Sequence, residues 1–331
     1  MKIDFFASNP DISVGSYRIW VHDLQRTLLE LGHDVEEYTS FNNFRKDSII
    51  ILSKADYHLS SHSALQGRCV GGINVAKDHG GLPLDFIIVG SPEEKTSLMT
   101  VYDNVCVVNL YERMYENQPL KSHSEKDNLC IGYHGSYIHL VKLGQGFSQA
   151  FKKLSQEYKL HFFNITNNPK IAKDTLLKHG FSREQITCKK WQFEDMLDDI
   201  KKFDIGVMPN LIDQSIINPE IAEQKSVQNG INTTDYVFRF KNKSNPGRAF
   251  VFYQLGIPVV ADLTPSNMPM LYDETCGYVA QCERSWIHYI ERLMSSDIRN
   301  QIAIQAYERF CSLYDPKKDA NQLIEKIKEI K

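Results

Sequence analysis

Short apolar runs recur along this chain at intervals that leave room for a helix between them, and that spacing narrows the fold more than any other feature. In the first half the runs at 2–7, 35–38, 48–52, 72–76, 86–89 and 105–108 read as strands. Between the first two, 16–31 is apolar at Ile19, Val21, Leu24, Leu28 and Leu31 and stops at Gly32, which is the pattern of an amphipathic helix. A strand that returns to lie parallel to its neighbour needs such a crossover, so the alternation predicts an α/β fold with mainly parallel sheets.

The alternation breaks once. Residues 113–128 are polar, charged and interrupted by Pro119, the composition of a linker. A second series follows, with strands at 129–133, 160–164, 186–189, 205–208, 257–261 and 277–280 and helices near 144–157, 170–179 and 193–201. The expected organisation is two domains, 1–112 and 129–315, and a final helical segment, 316–331, after the Asp315-Pro316 break. A length of 331 residues, 42% of them hydrophobic, suffices for two cores. Residues 211–238, polar and rich in asparagine, read as an insertion, either a flap over a site or a plain surface excursion.

The formal net charge of −3 gives no general attraction for nucleic acid, so neither DNA nor RNA is expected as a partner. Seven cysteines (Cys69, Cys106, Cys130, Cys188, Cys276, Cys282 and Cys311) are odd in number, scattered, and contain no C-x-x-C pair. That argues against a disulfide framework or a zinc knuckle and for a reducing cytoplasm. The start, MKIDFFASNP, reads as a strand rather than a signal peptide, and no run approaches the roughly 18 apolar residues of a spanning helix.

The chemistry concentrates in 239–261, RFKNKSNPGRAFVFYQLGIPVVA. Ser244 or Asn245 suits a helix cap, Pro246 the first helical position, and Gly256 followed by Pro258 the stop. A helix amino terminus presents unpaired N–H groups and a partial positive charge, and Lys241, Lys243 and Arg248 gather at that same end. Cations there are locally unfavourable unless an anion answers them, so an anionic ligand is expected.

These residues also carry a resemblance. KSNPGR…FYQLGIPVVAD is similar to the nucleotide-sugar element of GT-B glycosyltransferases, especially the family 4-like enzymes of surface-glycan synthesis. IGYHGSYIHL (131–140) resembles the strand and glycine loop that open that family's second domain, and FDIGVMPN (203–210) resembles its Asp-Ile-Gly strand. The resemblance implies two Rossmann-like domains facing a central cleft, with the last helix crossing back onto the first domain. It implies transfer of a sugar from a nucleotide-sugar donor to a glycan or lipid-linked acceptor, with retention as the usual stereochemistry and no metal or other cofactor. One departure stands out: where many members carry a pair of glutamates, this chain has Lys243 and Val251. A non-catalytic binding protein, a sugar-nucleotide epimerase or a polyol-phosphate transferase would use the same cationic helix mouth.

Within that frame Lys243, Ser244, Asn245 and Arg248 are candidates for the donor diphosphate, joined by Gly135 and Ser136 of the strand-end loop and by Gly15 in DISVGSYRIW. Gly132–Ser136 also suits a tight turn without ligand. Arg18 either touches a ligand or pairs with a surface carboxylate, and His79 in AKDHGG (76–81) is the first-domain histidine nearest the expected donor sugar. Arg18 and His79 are thus the candidate catalytic side chains. Trp191 either stacks on the nucleobase or anchors a core. The pair Gly144 and Gly146 lacks the third glycine of a dinucleotide fingerprint. No residue spacing suggests a metal site. A lipid-linked acceptor leaves peripheral contact with the inner face of a membrane open.

Overall fold

A computed structural model describes residues 1–75, 81–141, 145–209 and 246–330. The chain forms two compact units, Met1–Met114 with Leu313–Lys331, and Tyr115–Ser312.

The first unit is built on six parallel strands: β1 (Lys2–Phe6), β2 (Asp34–Tyr38), β3 (Ile49–Leu52), β4 (Val70–Ile73), β5 (Phe86–Val89) and β6 (Val105–Val107). Their order across the sheet is β2-β1-β3-β4-β5-β6. Because both faces are covered, β3 and β5 are buried at every position and read as continuous apolar runs rather than alternating ones. Asp4 is the polar intruder in β1. It is fully buried and satisfied by the backbone N–H and guanidinium of Arg45 and by the Ser48 hydroxyl. The helix Pro316–Ile330 supplies Ala320, Leu323, Ile324 and Ile327 to this core, against Ile3, Val21, Leu28 and Phe86. β4 starts and ends earlier than the expected 72–76. Asp85 receives the Val70 N–H at 2.7 Å at its start, and Asn74, at φ 49°, turns the backbone out of the extended region after Ile73.

The second unit repeats the plan with β7 (Asn128–Gly135), β8 (Lys159–Thr166), β9 (Ile186–Lys190), β10 (Ile205–Met208), β11 (Val259–Ala261) and β12 (Tyr278–Val279), again all parallel. The order is β12-β11-β10-β7-β8-β9. One face buries Phe147, Phe151, Phe162 and Phe181 with Trp286. The polar stretch after Met114 packs onto this unit. Lys121 donates from its backbone to the Leu255 carbonyl and from Nζ to the Lys201 and Phe203 carbonyls, and His123 lies 5% exposed with Nε2 against the Gly256 carbonyl at 2.9 Å.

Candidate functional site

In both sheets the chain leaves the first strand toward one side and later returns on its other side, so the order reverses between β1 and β3 and between β7 and β10. Loops diverge at such a reversal, and ligands of open α/β sheets bind there, outside the carboxyl ends of the strands. In the second unit that place is occupied by Gly135, Ser136 and the amino end of the helix Gly247–Gln254.

The helix forms because FVFY is apolar throughout and buried, with Ala249–Gln254 almost wholly enclosed. It ends as expected: Gly256 adopts φ 69°, a conformation that glycine takes at no steric cost. It starts one residue later than expected. Pro246, at φ −81° and ψ 2°, is the capping residue itself and Gly247 is the first helical residue, with the Phe250 N–H bonded to the Pro246 carbonyl. The early amides of such a helix have no intrahelical acceptor and point outward.

Arg248 is half-buried at this end, and its posture is set by β7. Nη1 donates to the Tyr133 hydroxyl at 3.0 Å, and the guanidinium carbon sits 5.4 Å from the Tyr133 ring centroid. The same hydroxyl donates to the Ser136 carbonyl at 2.8 Å. One phenol therefore couples the arginine to the loop. Gly135 lies between them at φ 132°, and a Cβ there would fall 2.9 Å from Arg248 Cδ and 3.2 Å from the Tyr133 oxygen. Next to it His134, 5% exposed, donates from Nε2 to the Arg248 carbonyl at 3.2 Å and stands edge-on to Phe252, centroids 5.0 Å apart. Burial pushes the Tyr133 phenol up, with the Arg248 charge opposing, so it stays a neutral donor. The result is a cation, a helix amino terminus and a glycine turn at one edge of the sheet, an arrangement suited to phosphate oxygens.

No family model matches the chain, and no curated protein matches it. Solved structures do. HepE of Anabaena, solved with UDP-glucose, superposes with a TM-score of 0.61 over 99% of this chain and 100% of its own, at 12% identity. Sucrose-phosphate synthase of Thermosynechococcus elongatus gives 0.60 over 99% and 98%, at 11% identity. TarM gives 0.59 over 85% of this chain but 55% of its own, at 11% identity, so the chain spans about half of TarM. Two six-stranded parallel sheets with this order, and these neighbours, decide the architecture.

The fold is GT-B. At these identities the likeness is one of fold, and the site must be read from the chain's own residues.

In the GT-B second unit, Arg248, Gly135 and Ser136 come together, and the residue that joins them, Tyr133, is one that sequence reasoning passed over. The signal was available, since a tyrosine within a strand that is otherwise buried needs a partner for its hydroxyl. Trp191 follows β9 at the same carboxyl edge, separated from β7 by β8. It is half-buried, with its backbone N–H on the Thr166 carbonyl and its ring 6.5 Å from that of Phe193. Asp195 is ion-paired with Lys189 at 2.8 Å. Val251 is fully buried in its helix. Lys241, Lys243, Ser244, Asn245 and His79 lie outside the described residues.

In the first unit Gly15 opens the helical run 15–30 just past β1. Arg18 begins its π-helical section, Arg18–Asp23, and is 3% exposed. Rather than a surface carboxylate it meets buried Glu112, Nη2 to Oε2 at 2.8 Å, and its Nη1 donates to the Ile12 carbonyl at 2.9 Å. Burial pushes the Glu112 carboxyl up and Arg18 opposes it. Arg18 thus ties the loop after β1 to the end of the first unit. Among the described residues no group of His, Cys, Asp and Glu is arranged to hold a metal ion, and no helix is long and apolar enough to cross a membrane.

Proposed function

We propose that this chain is a glycosyltransferase, moving a sugar from a nucleotide-sugar donor to a glycan or lipid-linked acceptor. The observation that carries the reading is the Arg248 guanidinium, fixed by Tyr133 above the Gly135–Ser136 turn at a helix amino end. The fold shared with HepE, which was solved with UDP-glucose, supports a UDP-sugar as donor.

As the bond between sugar and phosphate breaks, negative charge grows on the departing diphosphate. Arg248 and the helix N–H groups stabilise that charge more than they stabilise the bound donor, which is what accelerates the step. In this reading Lys243, Ser244 and Asn245 are further ligands of the diphosphate, His79 is a catalytic side chain, and Trp191 takes the base. Arg18 acts through the loop it holds. Protein cations do the work that a divalent metal does elsewhere, so none is required, and the anomeric configuration is retained.

The test is turnover. UDP-glucose and UDP-N-acetylglucosamine, offered with oligosaccharide acceptors, should release UDP at a rate unchanged by EDTA and reduced about a hundredfold or more by Arg248→Ala. Loss of turnover with EDTA, or full turnover in Arg248→Ala, contradicts the mechanism.

A further inference from the structure

The first unit carries an open, solvent-facing groove of about 470 Å³ at the amino-terminal edge of its sheet, where β4 begins at Val70 and β5 at Phe86; His62, Gln66 and Asp85 in its lining are exposed. This is the edge opposite the loop that follows β1. Its volume falls within the roughly 300–1,000 Å³ of small-molecule sites. Its polar lining is held in place by contacts of its own. His62 stacks flat on Phe41, centroids 4.1 Å apart at 10°, and its Nδ1 accepts from the Ala64 N–H at 3.2 Å. With Nδ1 engaged as an acceptor, Nε2 is left as the ring's donor. Arg68 is anchored through Nη1 on the Arg45 carbonyl at 2.8 Å, and Asp85 by its Oδ2 on the Val70 N–H at 2.7 Å. Gln66 adds an exposed amide with both a donor and an acceptor, while Leu65 and Leu84 supply apolar wall.

We infer that this groove is a saccharide-binding site, separate from the donor edge of the second unit. The charges of Arg68 and Asp85 offset one another, so the lining favours neither an anion nor a cation. What it offers is a mixed set of donors and acceptors beside an apolar wall, the complement of a sugar, whose hydroxyls both give and take hydrogen bonds and whose ring has a C–H face. A neutral oligosaccharide of one or two rings is the ligand class. Because His62, Arg68 and Asp85 are already immobilised, little side-chain order remains to be imposed on binding. The inference goes beyond the donor reading and does not depend on Arg248.

Saturation-transfer NMR on the full chain with millimolar cellobiose, maltose and di-N-acetylchitobiose tests it. At least one disaccharide should receive saturation. Gln66→Trp, which fills the mouth from an exposed position, should abolish the signal. His62→Phe, which keeps the stack on Phe41 but removes the Nε2 donor, should weaken binding by about three- to tenfold. Arg248→Ala should leave it unchanged. The inference falls if no disaccharide is saturated, if the signal survives Gln66→Trp in folded protein, if His62→Phe leaves the affinity unchanged, if Arg248→Ala removes the signal, or if inorganic phosphate displaces the sugar.

Discussion

The Arg248 guanidinium and the Tyr133 hydroxyl meet at 3.0 Å, and that hydroxyl spends its own proton on the Ser136 carbonyl at 2.8 Å. Tyr133 thereby fixes both a cation and the loop beneath it. Tyr133→Phe keeps the ring under the guanidinium but drops both hydrogen bonds. It should weaken UDP binding by about tenfold and leave uridine binding unchanged, since only the diphosphate depends on Arg248. In an Arg248→Ala background the same change should cost less UDP affinity than in wild type, since only the hold on the Ser136 loop is then left to lose. Additive losses in that double-mutant cycle would show that the two residues act independently.

Gly135 stands at φ 132°, a region that side chains avoid, and a Cβ would press on Arg248. Gly135→Ala should cost about 1–3 kcal/mol of stability in urea unfolding and displace the arginine, weakening UDP binding as well. Unchanged stability and unchanged affinity would mean that the turn is not under this constraint.

Arg18 and Glu112 form a buried ion pair in the first unit, both under a tenth exposed. Glu112→Ala strands a buried guanidinium and should destabilise by about 3–5 kcal/mol. Replacing both residues by apolar ones of similar volume should recover much of that loss. A cost under about 1 kcal/mol for Glu112→Ala would mean that water already reaches the pair.

Burial lowers His123 from 6.5 to about 4, with the Gly256 carbonyl working in the opposite direction. In the folded protein the ring stays neutral until pH nears 4, whereas the unfolded chain takes up its proton near 6.5. Between those values the unfolded state binds more protons, so this contribution to stability is whole above pH 6.5 and is lost as pH falls toward 4, amounting to a few kcal/mol. The difference in unfolding free energy between wild type and His123→Gln should shrink steadily over that window. A difference independent of pH would show that the ring is not held neutral.

Much of the fold was legible because parallel sheets buried on both faces leave continuous apolar runs. The strands at 49–52, 86–89 and 205–208 stand in the sequence as IIIL, FIIV and IGVM. β4 begins two residues and ends three residues before the expected limits because those limits are set by Asp85 and by the positive φ of Asn74, neither of which is a local apolar signal. The site was less legible for a related reason. Arg248 and Gly135 announce themselves through charge and conformational freedom, whereas Tyr133 looks like any core aromatic until its hydroxyl is seen between them. Glu112, likewise, is one polar residue among many in a polar stretch, and its burial against Arg18 depends on a contact 94 positions away in sequence.

Titration calorimetry of UDP into wild type and Arg248→Ala asks whether this guanidinium holds the diphosphate. Wild type should bind UDP measurably, the variant about tenfold or more weakly, and the two proteins should not differ for uridine. Equal UDP affinity in both, or no UDP binding by correctly folded wild type, would contradict that role of Arg248.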